Sequence, residues 1–244
     1  MYEKAIELDP KYADAYLGVG WTYFMDAWNG WVEPSKTLPV GAHPDEVKSQ
    51  EQALQRASEM VQKAIALDDS LPGAYQLLSQ LDVYKGHYDR SIADAERAIA
   101  LEPSSASGYW WLAQDQDWAM KPEDAIESAN KAMRLDPRNQ DLYLSVVAWS
   151  YSHMGRYTEA VSLIKQSLAR YPNNLAGHYA LAVAYVELGR LDEARAEVAE
   201  LMRISPRLTL EGFRYTEEHG VAYPLKDRAL AERELADLAK AGLK

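Results

Sequence analysis

Apolar, aromatic and small residues recur along this chain at spacings of three and four, and the block carrying them repeats. A ring residue opens one series at Tyr16, Tyr75, Tyr109, Tyr143 and His178. Three positions on comes an aliphatic residue, at Val19, Leu78, Leu112, Val146 and Leu181, and then a mostly small one, at Gly20, Ser79, Ala113, Val147 and Ala182. Such spacing gathers the residues on one face of a helix. A second series, Ala57, Ser91, Ala125, Ala160 and Ala194, is followed by Ala64, Ala98, Ala132 and Ser167, with Leu201 breaking the pattern. Small side chains at matched positions let two antiparallel helices approach closely.

Punctuation follows the same period. Pro103, Pro137, Pro172 and Pro206 are separated by 34, 35 and 34 residues, and Asp69 stands 34 before Pro103 where a proline is missing. A proline pushes the preceding residue out of the helical region and so ends the second helix of each block. Gly86, Gly155 and Gly189 suit the C-terminus of the first helix, and Lys121-Pro122 serves that junction in the third block. First helices are predicted near 12–26, 71–85, 105–120, 139–154 and 174–188. Second helices are predicted near 46–67, 88–101, 122–135, 157–170 and 191–204. A hairpin of this size cannot bury its apolar face alone, so the blocks must stack.

The order of ring, aliphatic, small, then Ala, Ala and Pro resembles the tetratricopeptide repeat. The resemblance implies an all-α fold, a right-handed α-α superhelix of about five helical hairpins with a C-terminal capping segment. The array spans 1–206, with a half repeat at 1–8 whose first helix is absent, as in a piece of a longer chain, and residues 207–244 form the cap. Asp82 and Gln116 stand near the usual second ring of the first helix, and Val147 is bulky where Gly or Ala is expected. Looser packing between hairpins is predicted at these places.

Two segments depart from the period. From Pro10 to Asp69 the first block stretches to 59 residues, an insertion lying at about 26–48 that carries Trp28, Gly30, Trp31, Pro34, Pro39, Gly41 and Pro44. Loops of that length in a compact array are usually functional or disordered, and two tryptophans argue against disorder. Trp28 and Trp31 either plug the first unit or face a ligand. At the other end, Leu230, Leu235 and Leu238 among charges read as a short amphipathic helix. This pair of features resembles the C-terminal repeat region of bacterial class III adenylate/guanylate cyclases, with Trp28 to Trp31, a helix like Ala53 to Leu67, and a closing segment like Leu230 to Leu243. The resemblance implies a regulatory or docking region of a larger signalling protein. Similar tails follow winged-helix transcriptional regulators, where the array would serve structure or oligomerisation. The catalytic or DNA-binding part would lie outside these residues.

Composition narrows the function. A net charge of −11 argues against nucleic acid or anionic membrane as partner, since both need clustered Lys and Arg. There is no Cys, which removes disulfides and thiolate metal sites and fits a reducing, cytoplasmic setting. No signal peptide and no long apolar run is visible. No phosphate loop, nucleophile elbow or paired acid and base emerges, and His43, His87, His153, His178 and His219 show no metal-binding spacing. The chain is expected to be no enzyme and to hold no cofactor and no metal. With 16 Tyr and 7 Trp against 2 Phe, most aromatic surface carries a polar handle.

In a repeat of this kind the inner wall is formed by the first helices. The positions that fall there include Trp21, Phe24, Tyr84, Trp110, Asp117, Trp118, Tyr151 and Tyr179, with no Lys or Arg among them. Repeats of this family that clamp a C-terminal carboxylate use Lys, Arg and Asn there, so an acidic C-terminal peptide is rejected as ligand. Tyr and Trp dominate binding hot spots. The predicted partner is a protein or peptide with an apolar or helical segment, anchored on Trp21, Trp110 and Trp118, and a homodimer is the alternative. The competing reading is that several of these rings pack against the insertion or the C-terminal segment.

Overall fold

The computed structural model describes residues 1–32, 44–206, 208–213 and 225–244, and side chains outside 28–50. Helices pair as expected: α2 (Ala13–Val32) with α3 (Pro44–Leu67), α4 (Pro72–Tyr84) with α5 (Tyr88–Leu101), α6 (Ala106–Trp118) with α7 (Pro122–Leu135), α8 (Gln140–His153) with α9 (Tyr157–Arg170), and α10 (Leu175–Glu187) with α11 (Leu191–Ile204). A short α1 (Tyr2–Leu8) lies on α2, and α12 (Arg228–Lys240) follows the array. Each first helix also touches the first helix of the next unit, so α2, α4, α6, α8 and α10 form one continuous wall. Among the described residues no strand occurs.

The small-residue series explains the close pairing. Ala57, Ser91, Ala125, Ala160 and Ala194 are all fully buried, as are Ala64, Ala98 and Ala132. At Gly20 an added Cβ would meet the tip of the Leu77 side chain at 2.9 Å and the Ala57 carbonyl at 3.4 Å, so a side chain there would have to push buried Leu77 aside where α2 meets α3 and α4.

Three differences from expectation have physical reasons. First, α2 continues to Val32 and α3 begins at Pro44, so the insertion expected at 26–48 contributes helix at both ends. Ala27, Trp28, Trp31 and Val32 prolong the three-and-four spacing begun by Phe24, and that overrides the turn signal at Gly30. Residues 33–43, and the side chains of Trp28 and Trp31, lie outside the described residues. Second, Asp82 and Gln116 make polar bridges to the second helix of their own hairpins, and Val147 finds room between units. Buried Asp82 faces the Arg90 guanidinium at 3.3 Å and His87 at 3.4 Å. Gln116 Oε1 accepts from Ser128 Oγ at 2.8 Å. Val147 is buried among Ala113, Ala125 and Ala129, whose small size leaves it room.

Third, the hairpin turn of the third unit is made by Met120, not by Lys121. Gly86, Gly155 and Gly189 have φ of 73°, 73° and 72°, and Met120 takes the equivalent place with φ 60°. A left-handed non-glycine residue costs about 1–2 kcal/mol. Its side chain explains why it is there: Met120 packs against Leu225, Leu230 and Ala231 of the C-terminal segment. Met120→Gly relieves the turn but removes that contact, and half-burial of a methionine is worth about 1 kcal/mol. The two nearly cancel in overall stability. The expected result is an almost unchanged melting temperature with faster amide exchange confined to 225–240. Slower exchange there would contradict the anchoring role.

The core is not purely apolar. Gln80 Nε2 on α4 donates to Asp115 Oδ1 on α6 at 2.9 Å, tying two units together. Asp115 is fully buried, and that burial pushes its carboxyl up to about 7.

The concave wall as candidate functional site

The C-terminal helix settles on the wall itself. Asp227 caps α12, its Oδ1 accepting from the Ala229 and Leu230 amides at 3.0 and 3.1 Å. The chain just before it is pinned across α6, the Lys226 amide donating to the Trp118 carbonyl at 2.9 Å. Further along, Leu235 and Leu238 enter the buried cluster built on α10, with Tyr179, Leu181 and Val183. α12 therefore does more than cover the last edge: it reaches from α10 and α11 back to the ends of α8 and α6.

Charged groups fasten it. His153, at the end of α8, is only 4% exposed in its side chain and stands between two carboxylates. Its Nδ1 lies 3.1 Å from Asp117 Oδ1, and its Nε2 lies 3.9 Å from Glu234 Oε1 of α12. Ser150 Oγ donates to the same Asp117 oxygen at 2.7 Å. Tyr179 OH donates to Glu234 Oε2 at 3.0 Å. Burial pulls the His153 imidazole down, but the charge and hydrogen bond of Asp117, then the charge of Glu234, override it and raise it to about 9. His153 is therefore a cation at neutral pH. Burial raises Glu234 as well, against His153. On the outer side of α12, Arg233 faces Glu187 at 3.3 Å and donates to Tyr157 OH at 3.3 Å. Lys240 pairs with buried Asp237 at 2.7 Å.

The wall residues named from sequence fall into three situations. Trp21, Phe24 and Tyr84 cluster at the N-terminal half, Phe24 fully buried with ring centroids 5.6 Å from Trp21 and 6.1 Å from Tyr84. Trp118 and Tyr179 are 7% and 5% exposed, beside the C-terminal segment. Trp110 and Tyr151 are part-buried, and the Arg156 guanidinium lies 4.3 Å over the Tyr151 ring. Trp28 and Trp31 lie outside the described side chains. Sequence reasoning missed Trp111, Trp149, His153 and Glu234. Trp111 bridges the two halves, 6.0 Å from Trp21 and 4.5 Å from Trp110. Trp149 packs 5.7 Å from Tyr179. One signal did point to the cluster: Asp117 is acidic where the equivalent wall positions are Phe24, Val83, Tyr151 and Val186.

Between α6, α8, the start of α10 and the near end of the C-terminal segment lies a cavity of about 350 Å³. Trp110, Trp118 and Trp149 wall it, and neither Lys nor Arg stands among its described lining residues. Among the described residues no group of three His, Asp or Glu is arranged to hold a metal ion. Nor is any helix among them long and apolar enough to cross a membrane.

Comparison with known proteins agrees with the geometry. Two tetratricopeptide-repeat family models match, over residues 77–140 and 152–207. No curated protein matches. Among solved structures, TTC0263, a thermophilic TPR protein of Thermus thermophilus, is 21% identical with a TM-score of 0.58, covering 78% of this chain and 92% of its own. PilW, a widely conserved type IV pilus biogenesis factor, is 18% identical with a TM-score of 0.58, covering 78% and 87%. PilF of Pseudomonas aeruginosa is 14% identical with a TM-score of 0.60, covering 94% and 88%. At these identities the likeness is one of fold. None of these matches carries the likeness to cyclase C-terminal regions. This chain is an all-α solenoid built of tetratricopeptide repeats.

Proposed function

We propose that the chain is a non-catalytic protein-interaction scaffold whose concave wall takes an amphipathic helical segment of a partner, and that α12 is the resident such a segment displaces. Tetratricopeptide repeats serve as protein-interaction scaffolds. One observation carries the narrower reading: the wall already holds a helix, α12, through buried leucines on one side and the Glu234 contacts with His153 and Tyr179 on the other. A helix laid into a groove by its apolar face is a recurring recognition mode. The division of labour follows, with 1–206 as the platform and 207–244 as its removable cover. The tryptophan- and glycine-bearing insertion at Trp28 to Trp31 and the closing segment Leu230 to Leu243 support a docking region within a larger signalling protein such as a nucleotide cyclase. The cysteine-free sequence supports a cytoplasmic setting.

A labelled peptide spanning 225–244 tests this against the full chain carrying Leu238→Asp, which is expected to vacate the wall. That variant should capture the peptide at least tenfold more tightly than the wild type, by fluorescence anisotropy. Adding Trp118→Ala should abolish capture while helicity survives. Equal and weak binding by all three proteins would rule out the groove as a docking site.

A further inference from the structure

We infer that the cavity of about 350 Å³ beside α12 is a site for a small, uncharged, planar molecule carrying a hydrogen-bond acceptor such as a carbonyl oxygen. The site is separate in chemistry from helix capture, and it does not require α12 to leave.

Two unpaired donors make the case. Trp110 Nε1 and Gln114 Nε2 are both buried and have no hydrogen-bond partner among the described residues. They are four residues apart on α6, so they project from one face, a turn apart. Both line the cavity. A buried donor without an acceptor is costly, and two on one wall of one cavity, unanswered by the described residues, point to an acceptor supplied by a ligand. Trp110 can only donate, so a ligand must accept from it.

Shape and charge narrow the class. A volume of about 350 Å³ is in the range that holds a compact organic molecule. Three indole side chains and the aliphatic Leu142, Val146 and Ile164 favour a flat, apolar body. An anion is disfavoured, because the charged groups among the described lining residues are Asp117, His153 and Glu234, two carboxylates around one imidazole. A cation would find those carboxylates already engaged by His153, Ser150 and Tyr179, and would leave both donors of α6 unanswered. A neutral acceptor is the class that answers the unpaired groups without adding a buried charge.

Calorimetric titration of the full chain with three flat probes tests this. They are 1-methyl-2-quinolinone (neutral, accepting), 2-naphthoate (anionic) and trimethylphenylammonium (cationic). The lactam is expected to bind with a Kd on the order of 100 µM, ahead of both ions. Trp110→Phe keeps a ring and removes the indole N–H, and Gln114→Met keeps the length and removes the amide. Neither group bonds to a described residue, so both variants should fold, as circular dichroism will show. Each is expected to weaken the lactam about fivefold. No binding of the lactam at ~1 mM, an unchanged affinity in both variants, or tighter binding of either ion overturns the assignment. Peptide capture by the Leu238→Asp variant is read separately, so failure here leaves the scaffold reading to its own test.

Discussion

Leu238→Asp unseats α12. Leu238 is fully buried and Leu235 nearly so, both in the cluster that runs into α10. Truncating a leucine at such a site costs about 2–5 kcal/mol. An aspartate adds a buried charge that no cation answers, since the nearby Lys240 is already held by Asp237. Released α12 has nothing else to keep it helical, because a helix of 13 residues is marginal alone. The expected outcome is loss of helical signal equivalent to about one short helix, rapid proteolysis within 225–244, and persistence of the α2–α11 hairpins, which bury their own alanine seams. Tyr179 and Trp118 then lose their cover, and tryptophan emission shifts to the red. Complete loss of helix in one step would show instead that α12 and the fifth hairpin unfold together, and would end the idea of a removable cover.

The hairpins and the wall differ in how far they could be read beforehand. Every second helix from 88 onward begins and ends where the alanines and prolines place it, because local rules suffice: spacing sets the face, proline sets the stop, glycine sets the turn. The turn at Met120 escaped those rules because its reason is not local. Its left-handed residue is kept for a contact with Leu230, 110 positions away. The wall shows the same division. Its rings follow from the repeat frame, but which of them are covered depends on where the C-terminal segment returns, and no period encodes that. His153 looked like a residue beside a turn glycine, and Asp117 of the neighbouring unit, with Glu234 beyond it, makes it a buried cation. Asp117 stood out in the frame as the single acid at its register, and its partners Ser150 and His153 lie one unit on, while the further contact of His153 with Glu234 lies on a helix outside the repeat.

Raising the pH from about 6 to about 9 loosens α12. The sign follows from His153, whose pKa in the docked state is raised above the ordinary 6.5 to about 9. A group with a raised pKa contributes stability that is fully present below 6.5 and is lost as the pH climbs through about 9. For complete unfolding the span corresponds to roughly 3 kcal/mol; for release of α12 alone only the share from Glu234 counts, because Asp117 stays beside His153 on the wall. The other groups facing this contact act in the same direction or are neutral to it. Glu187 on α10 is raised by burial, then by a hydrogen bond and repulsion from Asp237, so its ionisation also opposes docking at higher pH. Glu234 is raised by burial and behaves likewise. Arg233 faces Glu187, and Lys240, raised by its hydrogen bond to Asp237, keeps that partner. Tyr157 is raised further from its range, by burial first. Asp115 also titrates, near 7, and its raised pKa lowers stability as the pH rises toward that value. A global melting curve would therefore mix two processes, and the measurement must be local. Amide exchange in α12, corrected for the intrinsic pH dependence, should quicken measurably across the window, by the share of the His153 shift that Glu234 supplies. His153→Gln keeps a side chain that can donate to Asp117 and removes the titration. In that variant α12 should be looser at pH 6, and the steep part of the profile between about 6.5 and 9 should flatten. A variant profile as steep as the wild type would assign the pH response to another group and leave His153 a spectator in the contact.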